Sequence, residues 1–154
     1  MVIPIRYSGV VLSFRDLVIY NLFFILQKRI VRILAGVSSR CSCRGLFKRL
    51  NILTLPCLYI YEILCFVRKK TTYFPNENTE DYCYDTRRKH DFKTSKHRST
   101  LFENSCKYNC QKMYNHLPSD IKNTPQFKKY KSRIFNYLVQ QEFYNVCEFF
   151  NHKM

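Results

Sequence analysis

Eight cysteines, four histidines and one adjacent acidic pair are the residues of this 154-residue chain that could carry chemistry. Cys41-Ser-Cys43 and Cys106-x-x-x-Cys110, with His90, His97, His116 and His152 elsewhere, are the raw material for zinc. Structural zinc holds cysteines in knuckles with roughly two to four intervening residues. The first pair has a single intervening residue, and the second lies on an apolar helical face. Packing cysteines are therefore expected, and no metal site. Cys57, Cys65 and Cys147 also fall inside apolar helical patterns, as small core residues do. No secretory signal precedes them, so free thiols in a reducing compartment, nuclear or cytoplasmic, are expected. Nucleophilic catalysis lacks its motifs. There is no Gly-x-Ser-x-Gly and no Gly-rich phosphate loop, and the histidines sit in polar loops or at helix ends. Glu80-Asp81, the adjacent acidic pair, reads as a solubilising patch in an irregular loop. The residues thus point to no catalytic group and no cofactor.

Charge is the dominant property: 26 Lys plus Arg stand against 11 Asp plus Glu, a net +15. Such a surplus repels itself, and an anionic partner offsets it, nucleic acid first and an acidic membrane surface second. No Asp or Glu occurs between Asp16 and Glu62, whereas Lys28, Arg29, Arg32, Arg40, Arg44, Lys48 and Arg49 all do. A second cationic run, Thr86-Arg-Arg-Lys-His-Asp-Phe-Lys-Thr-Ser-Lys-His-Arg98, has few apolar anchors. In the second half Tyr108, Tyr114, Phe127, Tyr130 and Tyr137 alternate with Lys107, Lys112, Lys128, Lys131 and Arg133. That interleaving suits stacking on unpaired bases, but its helical spacing favours a core.

These residues need elements to position them. Hydrophobic residues make up 46% of the chain, which excludes a disordered composition, and three glycines argue against a series of hairpins. The stretch Asn21–Val37 predicts the central helix, about residues 22–36. Leu22, Leu26, Ile30, Ile33 and Val37 recur on one face, and Phe23, Ile25, Val31 and Leu34 widen it. Much of this helix is expected to be buried, with Gln27, Lys28, Arg29 and Arg32 on the remaining edge. That edge is either a solvated face or one that meets phosphate. Asn21 serves as N-cap and Gly36 as the stop. Ser38–Arg44 reads as a loop, and Gly45–Leu50 as a short helix turning Leu46, Phe47 and Leu50 inward.

Thr54-Leu-Pro56 opens a helix over about 56–70, apolar nearly all round and hence central; Arg68, Lys69 and Lys70 close it. Residues 71–100 read as a basic linker. Residues 101–151 then form a second helical part. Cys106, Cys110, Met113, Tyr114 and Leu117 share a helical face, and Leu117-Pro-Ser-Asp-Ile121 makes a tight turn that tucks in two aliphatics. Thr124-Pro125 starts a helix as N-cap and first-turn proline. A last piece over Glu142–Phe150 turns Phe143, Val146, Cys147 and Phe150 inward. The expected fold is mainly α, an irregular helical bundle with a long basic loop between two helical parts, residues 1–70 and 101–151. Neither residues 2–26 nor Leu55–Val67 offers the roughly 20 uninterrupted apolar residues of a membrane span.

Several short segments, in this order, resemble the C-terminal part of non-LTR (LINE-type, jockey-like) retrotransposon reverse transcriptases. They are Leu26-Gln-Lys-Arg-Ile-Val-Arg-Ile, Leu46-Phe-Lys-Arg-Leu-Asn-Ile-Leu-Thr-Leu-Pro56 and Leu58-Tyr-Ile-Tyr-Glu62. Thr86-Arg87, His97-Arg98, Leu101-Phe102-Glu103, Tyr114-Asn115-x-Leu117-Pro118-x-x-Ile121, Phe127-Lys128 and Phe143-Tyr144-x-Val146-x-Glu148-Phe149 continue the series. The resemblance covers about residues 21–151. Tyr7–Ser13 resembles the family's Tyr-Gly-Ile-x-x-Trp-Gly stretch but departs at Ser8, Leu12 and Ser13. The resemblance implies a segment that follows the fingers and palm of an RNA-directed DNA polymerase. The family's Phe/Tyr-Ala-Asp-Asp turn and its other palm aspartate have no counterpart here, and two-metal phosphoryl transfer needs those carboxylates. The chain is therefore expected not to polymerise alone, and to be a truncated or decayed element or the tail of a longer product.

The expected function is a non-catalytic region that holds RNA or DNA backbone by electrostatics. Lys28, Arg29, Arg32, Lys48 and Arg49 in the first half and Arg87, Arg88, Lys89 and Arg98 in the linker would position phosphate rather than read bases. An intact reverse transcriptase is a further expected partner. The alternatives are a basic membrane-surface module, a protein-interaction module, and a remnant without function.

Overall fold

The structure is a computed structural model that describes residues 14–70, 74, 91–92, 99 and 105–152, with side chains in the first helix from Ile19 onward. All regular structure among the described residues is helical: α1 Phe14–Leu34, α2 Leu46–Arg49, α3 Leu55–Lys69, α4 Cys106–Asn115, α5 Ser119–Lys122, α6 Phe127–Gln141 and α7 Val146–Asn151. The mainly α bundle expected from the periodicity is the fold. The basic run Thr86–Arg98 lies, except for Asp91 and Phe92, outside the described residues.

α3 is the element on which the others pack. Thr54 caps it: its hydroxyl accepts the Cys57 N–H at 3.3 Å and donates to the Phe143 carbonyl at 2.5 Å. Pro56 occupies the first turn, where a missing N–H costs nothing. Ile60, Ile63, Leu64 and Val67 pack with Cys110, Met113 and Tyr114 of α4, Tyr130, Ile134 and Leu138 of α6, and Phe149 of α7 in one cluster. Leu117 and Ile121 are tucked into it as their turn predicts. Asn115 fixes a distant strip of chain by exchanging two hydrogen bonds with the Phe92 backbone, at 2.8 and 2.7 Å. Lys122, buried, reaches Asp91 at 2.6 Å and the Asn115 carbonyl at 2.7 Å. A first-half helix and four second-half helices therefore share one core.

α1 departs most from expectation. It begins at Phe14, so Asn21 lies inside it rather than capping it. Most of the stripe expected to be buried faces outward: Leu22, Leu26, Ile30, Ile33, Phe23, Ile25 and Leu34 are all exposed, Ile33 to 77%, while Val31 is buried and Val37 half-buried as expected. The face that docks carries Phe24 and Val31, with Gln27 and Lys28 half-buried between them. The reason is backbone accounting. The Gln27 amide donates to the Leu53 carbonyl and accepts the Leu55 N–H, both at 2.9 Å, which satisfies a donor at the open start of α3. Phe24 and Val31 then meet Cys43, Leu46 and Phe47 in a second, smaller cluster. The end of α1 is as expected. Gly36 has φ +66°, its N–H reaches the Ile33 carbonyl, and the Val37 N–H reaches Arg32, the paired bonds of a glycine-terminated helix.

Two further corrections concern the second half. Thr124 is not an N-cap, because α6 starts at Phe127 behind Gln126. The buried Thr124 hydroxyl instead donates to the Asp120 carbonyl at 3.2 Å, closing the preceding turn. Cys147 is exposed and Phe149 is the fully buried residue of α7, because the helix begins only at Val146 and its inward face is set by Phe143 before it.

Candidate nucleic-acid interface

The C-terminal half of α1, the loop 38–45 and α2 together carry the acid-free run of cations, and the structure ties them into one unit. The loop folds back along α1: Arg32 Nε donates to the Cys41 carbonyl at 2.7 Å, and the Cys43 thiol reaches the Lys28 carbonyl at 3.6 Å. Arg49 closes the other end by donating to the Ala35 carbonyl at 3.1 Å, which also places a cation at the negative end of α1. These contacts use backbone oxygens, so among the described residues the guanidinium charges of Arg32 and Arg49 have no carboxylate partner. Arg29, Arg40 and Lys48 are exposed beside them.

Tyr144, between α6 and α7, forms the floor of this face. Its ring packs edge-on against Phe24 and Phe47, with centroids 5.5 and 6.0 Å apart. Two cations lie over it, Lys28 Nζ at 5.4 Å and the Arg44 guanidinium at 4.8 Å, and Lys28 also lies 4.0 Å from the Phe24 ring. Each such contact contributes roughly 0.5–2 kcal/mol, more where water is excluded. Burial pushes the Tyr144 phenol up to about 12, so the ring is neutral across the physiological range.

Two carboxylates answer the seven cations. Glu142, at φ +48°, accepts the Gly45 and Lys48 N–H groups, each at 2.6 Å, and so caps α2 from the far end of the chain. Glu148 accepts the Tyr144 N–H at 2.7 Å and pairs with Arg44 at 3.3 Å. Among the described residues Arg44 is thus the cation paired with a carboxylate, and the face keeps a positive surplus.

Of the residues predicted to meet phosphate, Lys28, Arg29, Arg32, Lys48 and Arg49 fall on this unit. Arg87, Arg88, Lys89 and Arg98 lie outside the described residues. The aromatics considered for base stacking are core or half-buried: Tyr130 and Tyr114 are buried beneath Arg68 and Lys122, and Phe127 and Tyr137 are half-buried. Tyr144, Arg44, Glu142 and Glu148 are the members the sequence reading passed over. Arg44 was signalled by its place in the acid-free run. Nothing local signals that residues 142–148 fold onto residues 44–48.

No group of three or more His, Cys, Asp or Glu able to hold a metal occurs among the described residues. Cys43, Cys57, Cys65 and Cys110 are buried. The Cys106 and Cys110 sulfurs lie 3.8 Å apart within one helix, and burial pushes the Cys110 thiol up to about 12, away from the thiolate a metal requires. Two open concavities of about 710 and 720 Å³ flank α5. The second collects Asp91, His116, Lys122 and His152, but Lys122 is already paired with Asp91. No described helix is long and apolar enough to cross a membrane. Comparison of the chain with protein-family models, with curated proteins and with solved structures found no match.

Proposed function

We propose that this chain binds the sugar–phosphate backbone of RNA or DNA through the face built from the end of α1, the loop 38–45 and α2. In this reading it is the non-catalytic C-terminal region of a LINE-type reverse transcriptase, and it adds no nucleotides on its own. The observation that supports the reading is the surplus itself. Among the described residues, seven cations between Lys28 and Arg49 share one folded unit with two carboxylates, and of the seven Arg44 alone has a side-chain carboxylate partner. Phosphate contacts of this kind fix position and carry no base information. Binding is therefore tolerant of sequence and steeply dependent on salt.

The test is fluorescence anisotropy with a single-stranded RNA and a primer–template duplex between 50 and 200 mM salt. About six available cations (Lys28, Arg29, Arg32, Arg40, Lys48 and Arg49) give slopes of log K against log salt near −4 for single strands and −5 for duplex. Affinity then falls by roughly two to three powers of ten over that range. An affinity that barely changes would refute the proposal. A pull-down of an intact reverse transcriptase that survives nuclease treatment would identify the protein partner that the same reading implies.

A further inference from the structure

We infer that α1 is a self-association helix that pairs with α1 of a second copy of this chain. Ile19, Phe23, Leu26, Ile30 and Ile33 follow one another at steps of four, three, four and three, and every one of them is at least half exposed. That alternation is the seam of a two-helix supercoil, in which each side chain enters a hole on a facing helix. A helix that only covered its own domain would turn this stripe inward. Here the docking is done by the opposite side, through Phe24, Gln27 and Val31.

The size of the surface fits a second copy. Leu22 and Leu34 flank the seam and are exposed as well. The seven side chains together expose on the order of 700 Å², close to the ~800 Å² that each partner contributes to a standard interface. It exceeds the roughly 300–600 Å² of the largest apolar patch on a typical monomer.

The charges fit a helix better than a lipid surface. A helix lying in a headgroup layer borders its apolar face with lysine and arginine. Of the three cations on the part of α1 whose side chains are described, Lys28 turns over the Phe24 and Tyr144 rings and Arg32 turns to the Cys41 carbonyl. Arg29 alone is left at the edge. The seam carries no charge, so two copies meet without a like-charge contact along it.

Sedimentation velocity of the full chain over the micromolar range, at low and high salt, tests the inference. A dimer is expected that tightens as salt rises, because each copy carries +15 and salt screens the repulsion. Nucleic-acid binding weakens over the same change, so the two proposals fail separately. Ile33→Lys and Leu26→Lys should give monomers with wild-type helicity by circular dichroism. Should either lysine variant unfold, Ile33→Ala and Leu26→Ala, which remove area without adding charge, should raise the dimer Kd at least tenfold. A wild type that stays monomeric at every salt concentration overturns the inference. So does a dimer unaffected by any seam substitution, or a monomer that floats with anionic vesicles.

Discussion

Replacing Glu148 by Gln removes one negative charge from the basic face with little change in shape. The glutamine carbonyl can still accept the Tyr144 N–H, now held at 2.7 Å, so the turn into α7 keeps its hydrogen bond. What is lost is the pairing with Arg44, whose side chain is 67% exposed and whose partner is 40% exposed. An ion pair so open to water contributes at most about 1 kcal/mol to stability. The effect on binding is larger. Arg44 becomes a further cation able to displace a counterion, which steepens the slope of log K against log salt by roughly 0.7 for single strands and 0.9 for duplex. At ~0.1 M salt that corresponds to a five- to eightfold gain in affinity. Anisotropy titrations of wild type, Glu148→Gln and Glu62→Gln measure it. Glu62 is exposed on α3 near Cys65 and Tyr61, outside the face, and its substitution changes net charge by the same amount. Equal gains from both variants would mean that total charge, and not this face, governs binding. No gain from Glu148→Gln would remove the face from the argument.

Thr54→Val keeps the shape but removes the hydroxyl that caps α3 and meets the Phe143 carbonyl. It should lower stability by about 2–3 kcal/mol in urea unfolding, while Thr54→Ser costs about 1 or less. Phe47→Ala empties the middle of the smaller cluster and should cost about 3–5 kcal/mol there. Amide exchange should then show α1 and α2 opening while α3, α4 and α6 stay protected. Burial pushes the Cys57, Cys65 and Cys110 thiols up from 9.0, Cys110 to about 12, so the folded state holds protons that the unfolded chain releases above pH 9. Thermal stability should therefore be full below pH 9 and fall steadily from 9 towards 12; a flat profile there would contradict the burial of these thiols.

The helices that one property determines were legible from the residues. α3 is apolar nearly all round and has Thr54 and Pro56 at its start, so both its centrality and its first turn could be read. Gly36 announced the end of α1, and Leu117 with Ile121 announced the tucked turn. α1 itself defeated the reading, because it carries apolar residues on both sides. Periodicity measures the width of a stripe, and the wider stripe is the outward one; the choice of docking face rests on Gln27 satisfying the backbone of Leu53 and Leu55, 26 and 28 positions away. Thr124 fits a cap pattern locally, yet its hydroxyl bonds backwards to Asp120. For the basic face, the cations were visible as a run. Their aromatic floor and their counter-charges arrive from residues 142–148, a separation that no local pattern encodes.

The Glu142 carboxylate that closes α2 lies 97 positions from Gly45. A contact of such separation forms only once residue 142 has been made, and bringing such distant segments together is a slow step of folding. Until then the Gly45 and Lys48 N–H groups lack this carboxylate and Phe24 and Phe47 lack the Tyr144 ring. A chain stopped at Gln141 would lose more than this closure, because the same segment sets Phe143 and Phe149 into the main core and Tyr144 under the cations, so the end of α1, α2 and α3 all depend on it.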